Sequence, residues 1–477
     1  MFESHEPRSG IVDLPSAGVP ADHGLASLGL LMQLAGRTSG ALAALIASIV
    51  VLESRATRHA GWFFFAVALC IGRSQLHRVA GRDLLYSRRT PEAGIANPFH
   101  ATRTYVALGI GHAIVIGLVA ATQFGATSRT VAGIVAALAL WPMVLAVVLA
   151  LPRFRPLRAG IPLGEDRGLE SASILMTVLG GCGVLSTAAI VMLLGELPSR
   201  HLQHGWGAML VVAFALLLIR SCLHLRVGLA GLRDTSFDRP GELASRYASF
   251  GVLSAVCVGG VLALLALAEQ LPGAAIASVI VMCWLLAAWP VIIKRFFNNR
   301  QFAELLAGDR MLHRRAPDAG LTGLGWLLVG HAVAVVTILI LTATVQDHGM
   351  GRALQNLLLL TGPVVGPSTP ELGIASGIVA LELLAAAVLL RMEDYRRVIA
   401  TMYALVAGGV ALATAWPLVR SIGRHHFDLR MAIQLIPAAV QLVVPAATLV
   451  LVHRVVAPAA RARYRESTGS PTSVGWQ

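Results

Sequence analysis

One carboxyl stands in the middle of an apolar run. Glu382 lies within residues 373–390, between Ala380-Leu381 and Leu383-Leu384. An ionisable group at bilayer depth is costly, so such a residue is a functional candidate by default. Two chemistries fit it: a proton or cation relay, or a neutral acid donating one interhelical hydrogen bond. Arg37 is the one charge inside another apolar run, and it is read as a snorkelling side chain or as the partner of Glu382. His112 in Gly111-His112-Ala113 and His331 in Gly330-His331-Ala332 share a local context. Haem ligation by such a pair requires matching depth on facing helices. A lone histidine on an apolar helix is more often a satisfied core residue. Gln434 and Gln441, seven apart, share one helix face and are expected to bond across to neighbours.

A second pattern is Arg73-Ser-Gln-Leu-His77, repeated as Arg220-Ser-Cys-Leu-His224. Arginine and histidine four apart share a helix face. At a membrane boundary they suit an anionic headgroup or substrate, or serve as an interface anchor. Arg391 is matched to the two arginines in a third segment, Arg391-Met-Glu-Asp-Tyr395. Histidines also gather in the connections of one face. Of these, His59, His201, His204 and His348 are weak candidates for a zinc or copper site, and no cofactor is identified.

Such residues need elements to hold them, and composition says which. Of 477 residues 56% are hydrophobic and 13% charged, about half the charge of a water-soluble chain of this size. A lipid-facing surface needs no charge, so the chain is expected to be an all-α, polytopic membrane bundle. Apolar spans are read near 28–52, 62–80, 104–123, 131–151, 171–195, 206–228, 248–269, 273–293, 322–345, 373–391, 398–418 and 432–453. The five cysteines lie in or beside these spans without a CxxC, as small bundle residues.

The formal charge is +13, carried by arginine apart from Lys294. The arginines cluster in alternate short connections, which excludes a nucleic-acid surface and places both termini in the cytoplasm of a cell with its inner membrane spanned. Arg55 and Arg58, and Arg420, Arg424 and Arg430, run weakly against that bias.

Three segments begin alike: Asp22-His-Gly24-Leu25, Asp166-Arg-Gly168-Leu169 and Asp318-Ala-Gly320-Leu321. A tyrosine opens each third span (Tyr105, Tyr247, Tyr403), and a proline lies in each fourth (Pro142, Pro290, Pro445). The expectation is three parallel four-helix units, residues 22–165, 166–317 and 318–456, related by a pseudo-threefold axis along the membrane normal. Tails of 1–21 and 457–477 flank them. Unit three carries an insertion, 349–370, expected to be a re-entrant or interfacial outer segment.

No Walker A loop, GxSxG, HExxH, CxxCH or EF-hand loop occurs, and no connection is long enough for a catalytic domain. The leading expectation is a secondary transporter or permeation protein for a small solute or ion. The rivals are a non-catalytic scaffold or subunit of a larger envelope complex, and an intramembrane enzyme acting on lipid.

Overall fold

The computed structural model describes residues 24–52, 60–85, 99–151, 169–194, 206–233, 238–268, 273–297, 321–344, 369–391, 395–422 and 441–453, and these are helical apart from short joins. In chain order the helices are α1 (Leu25–Leu52), α2 (Ala60–Leu85), α3 (His100–Phe124), α4 (Ser128–Ala150), α5 (Leu169–Leu194) and α6 (Trp206–Arg233). They continue as α7 (Asp238–Ala268), α8 (Gly273–Phe297), α9 (Leu321–Thr344), α10 (Thr369–Arg391) and α11 (Arg396–Ile422), with a shorter apolar helix α12 (Gln441–His453). Among the described residues there is no strand.

Among the described residues, eight helices contain a segment long and apolar enough to cross a bilayer: α3, α4, α6, α7, α8, α9, α10 and α11. Their outward faces agree. Leu118, Val147, Val212, Leu253, Leu267 and Leu405 each leave more than half of their surface uncovered. Water would penalise such a surface, whereas lipid is as apolar as these side chains. The protein is a membrane-embedded, all-helical bundle.

Packing follows a repeated order. α1 lies on α2, α2 on α3 and α3 on α4; α5 lies on α6, α6 on α7 and α7 on α8; α9 lies on α10 and α10 on α11. Helices α1, α5 and α9 touch one another, and in addition α1 packs on α8 while α9 packs on α4. The centre is filled at one end. Leu28, Met32, Ile174, Met176, Leu324 and Leu328 are buried members of a single cluster. At the turn between α3 and α4, Gly125 closes α3 with φ 63°, and the Thr130 N–H donates to Thr127 Oγ1 (3.3 Å) to start α4.

The contact of the first two helices of a unit is backbone on backbone. A Cβ placed on Gly29 of α1 would lie 2.6 Å from the Gly81 carbonyl oxygen of α2 and 2.7 Å from Leu85 N. In the second unit a Cβ on Gly228 of α6 would lie 2.5 Å from Thr177 N of α5. Where apolar surface gains nothing by leaving lipid, close approach of small residues supplies the dispersion energy that holds helices together. The tails 1–21 and 457–477, most of the segment 349–370, Gln434 and the histidines at 59, 201, 204 and 348 lie outside the described residues.

Candidate functional site

Helix-interior prolines organise the first polar cluster. Pro142 in α4 has no N–H, so the carbonyl four residues earlier, Leu138, has no intrahelical donor. The Arg73 guanidinium of α2 donates to that carbonyl and, at 3.3 Å, to the Gly109 carbonyl of α3. In the second unit Pro290 of α8 strands the Leu286 carbonyl in the same way, and Arg220 Nη2 donates to it at 2.6 Å. Gly109 and Gly251 leave room for the two rings: a Cβ on either would meet the proline side chain, at 3.0 and 2.6 Å. Each arginine also bonds a tyrosine hydroxyl, Arg73 that of Tyr105 and Arg220 that of Tyr247.

The histidine one turn along faces the same tyrosine. The His77 ring stacks on Tyr105 with centroids 4.6 Å apart and 12° between planes, and His224 stacks on Tyr247 at 4.9 Å and 14°. Trp141 Nε1–H donates to His77 Nε2, and Trp289 Nε1–H to His224 Nε2, both at 2.8 Å. Accepting at Nε2 requires a neutral imidazole with its proton on Nδ1. These histidines are buried and occupied, and their arginines are turned into the bundle. Both pairs therefore bridge neighbouring helices as interhelical clamps. For His224→Phe the ring stack survives but the Trp289 N–H loses its acceptor. A loss of about 1–3 kcal/mol is expected. It would appear as a lowered melting temperature in detergent, partly restored by Trp289→Phe.

The α9–α10 pair departs from this pattern at both the histidine and the arginine position. His77 and His224 lie four residues before Gly81 and Gly228, the glycines that meet the first helix of their units. In the α9–α10 pair, Gly325 takes the place of Gly29 and lies against the Ala386 carbonyl and Leu390, as Gly29 lies against Gly81 and Leu85. Four residues before Ala386 is Glu382. Packing thus sets Glu382 where the other units have histidine and Ile378 where they have arginine. Arg391, matched by sequence to Arg73, lies instead at the exposed end of α10.

Glu382 is 1% exposed. His331 Nδ1 of α9 is 2.7 Å from its Oε1, and the Tyr403 hydroxyl of α11 bonds the same carboxyl. The His331 side chain is 26% exposed, so the pair runs from the bundle interior towards its surface. Counting 1.5 Å per residue, His331 lies about 15 Å from the start of α9 and Glu382 about 14 Å from the end of α10, near the middle of a bilayer. The contact has the length of a hydrogen bond that joins an imidazole nitrogen to a carboxyl oxygen across two helices.

The remaining candidates do not join this group. Arg37 makes no contact with Glu382 and sits in a cleft beside Arg78 of α2. His112 lies near Arg73 on α3, with Nδ1 buried and lacking a hydrogen-bond partner, and is not paired with His331. Gln441 is buried at the start of α12. Among the described residues no three His, Cys, Asp or Glu side chains gather as a metal site. In the sequence Tyr105, Tyr247, Tyr403 and the span prolines stand as landmarks, but nothing there joins them, or the tryptophans before Pro142 and Pro290, to the histidines. Their equal spacing in the first two units was the available signal. No known family model, curated protein or solved structure matches the chain.

Proposed function

We propose that the protein is a secondary transporter or permeation protein that moves a small solute or ion in exchange or symport with protons, through Glu382 and His331. One observation carries the reading. At the position where two units hold a neutral histidine bonded by a tryptophan, the third holds a sealed carboxyl facing a partly exposed imidazole. A scaffold has no need of a proton-holding pair at mid-membrane depth, whereas a coupled carrier requires one.

In this reading all twelve helices span the inner membrane with both termini cytoplasmic, as three parallel units about an axis beside α1, α5 and α9. The matched packing order and the paired clamps support the duplication. Because the central helices close on one another at one end, the solute passes beside them.

The test is proton entry into liposomes carrying the purified protein and an internal pH dye, driven by an imposed potential and run with candidate solutes. Glu382→Gln should lower the flux by roughly tenfold or more, the scale of losing a positioned proton carrier, with insertion and oligomeric state unchanged. Equal flux for wild type and Glu382→Gln would defeat the proposal. The closed centre and the wide apolar outer surface favour the scaffold as second reading. It predicts no flux in either protein and stoichiometric recovery of a partner from native membranes.

A further inference from the structure

Between the first and second units α1, α2 and α8 leave a cleft of about 520 Å³. Arg37 of α1 and Arg78 of α2 stand in it, with Gln75 accepting from Arg78 Nε at 2.9 Å. Arg295, at the end of α8, is close enough to repel Arg37. The rest of the wall is apolar, with Ile280, Val281 and Trp284 supplied by α8.

Among the described residues these charges have no protein counter-ion. The described residues of α1 and α8 contain no Asp or Glu, and Asp83 of α2 pairs with Arg82. Arg37 Nε is buried and makes no hydrogen bond. Unpaired cations inside a membrane protein are expensive and mark a place where an anion belongs. Helical side chains lean towards their own N-terminus. On two antiparallel helices, Arg37 and Arg78 therefore lean towards each other along the cleft. The apolar walls continue from this cationic spot, which is the layout of an amphiphile with a charged head and a hydrocarbon tail.

We infer that this cleft is a binding site for one anionic phospholipid, its phosphate held by Arg37 and Arg78 and an acyl chain lying along Ile280 and Trp284. The site stands apart from Glu382 and does not depend on the transport reading. Its bound lipid fills the joint between two units and neutralises the two arginines.

The experiment uses the whole protein in nanodiscs of phosphatidylcholine with a minor share of phosphatidylglycerol, read by native mass spectrometry for retained lipid. Arg37→Gln and Arg78→Gln should each weaken phosphatidylglycerol retention about fivefold, the usual weight of one arginine at a charged headgroup, while Arg103→Gln on α3 leaves it unchanged. Brominated phosphatidylglycerol gives a second measurement that needs no arginine variant. It should quench tryptophan emission more than brominated phosphatidylcholine does, and Trp284→Phe should remove the excess. Equal quenching by the two lipids, or retention indifferent to both arginines, overturns the site. Displacement of the lipid by millimolar inorganic phosphate, with the phosphate itself then retained, also overturns it and assigns the arginines to a free anion.

Discussion

Gly81→Leu should abolish the folded protein, and Gly228→Leu should do the same from the other unit. At Gly81 even a Cβ would lie 2.7 Å from the Gly29 carbonyl oxygen, 2.8 Å from Gln33 N and 2.8 Å from Met32 Cβ. Two of these are backbone atoms, which cannot rotate aside as a side-chain tip can. Gly228 meets Thr177 N, Thr177 Oγ1 and the Ser173 carbonyl at 2.5 to 2.9 Å. Alanine at either position is expected to cost about 1–3 kcal/mol, the range for overpacking a filled interface. Leucine would force α1 from α2, or α5 from α6, over their whole shared face. That face carries the joints to α8 and α9, so the damage spreads through the bundle. Size-exclusion profiles and thermal melts in mild detergent read the result. Gly72, on the same α2, has nothing within 4 Å of its would-be Cβ and serves as the control. Gly72→Ala should be neutral or stabilising by up to about 1 kcal/mol, since alanine is the better helix former. A folded Gly81→Leu protein with an unchanged melting temperature would show that the α1–α2 contact is looser than described here.

These glycines also explain what the sequence could and could not reveal. Apolar run length located the helices well. The span read at 131–151 is α4 (Ser128–Ala150), and the one at 171–195 is α5 (Leu169–Leu194). The largest discrepancy is α7, expected from 248 but starting at Asp238. Its first turns carry Arg239, Glu242 and Arg246, whose charges hide a helix from a reading based on apolarity. Glu242 and Arg246 are an exposed i,i+4 pair at 2.5 Å, the arrangement that favours helix outside lipid.

The polar landmarks of the first two units were legible because they kept residue type: Arg73 and Arg220, His77 and His224, Tyr105 and Tyr247, Trp141 and Trp289. Matching arginine to arginine chose Arg391, whereas the close contact of Gly325 with Ala386 points to a register carried by small residues. Gly325 on Ala386 repeats Gly29 on Gly81, and that contact carries no recognisable letter in an Ala- and Gly-rich sequence. Once register is set by packing, Glu382 falls at the histidine position. Its partner His331 could not be found from sequence, because no spacing rule joins residues on different helices.

Arg73→Leu should destabilise the protein by about 2 kcal/mol in its native background, and by much less when Pro142→Ala is present. Two effects of opposite sign meet at this residue. Removing the guanidinium relieves the cost of holding a charge in the bundle, and a well-packed apolar replacement is stabilising in some buried sites. It also leaves the Leu138 carbonyl with no donor from Pro142 or from Arg73, and removes a bond from the Tyr105 hydroxyl. With no water at this depth to substitute, each orphaned group costs about 1–3 kcal/mol, and the second effect wins. Pro142→Ala restores one donor: residue 142 regains an N–H directed at the Leu138 carbonyl, four residues back. The arginine then has one fewer acceptor to serve, so its removal is milder. A double-mutant cycle on melting or unfolding free energy should give a coupling of about 1–2 kcal/mol, within the range for directly linked groups. Arg220 and Pro290 provide the replicate, since Arg220 Nη2 reaches the Leu286 carbonyl at 2.6 Å. Additive changes in both units would mean that the arginines are held there by something other than the carbonyls the prolines release. Coupling in both would establish that a helix-interior proline and the arginine facing it form a single device, present in both four-helix groups.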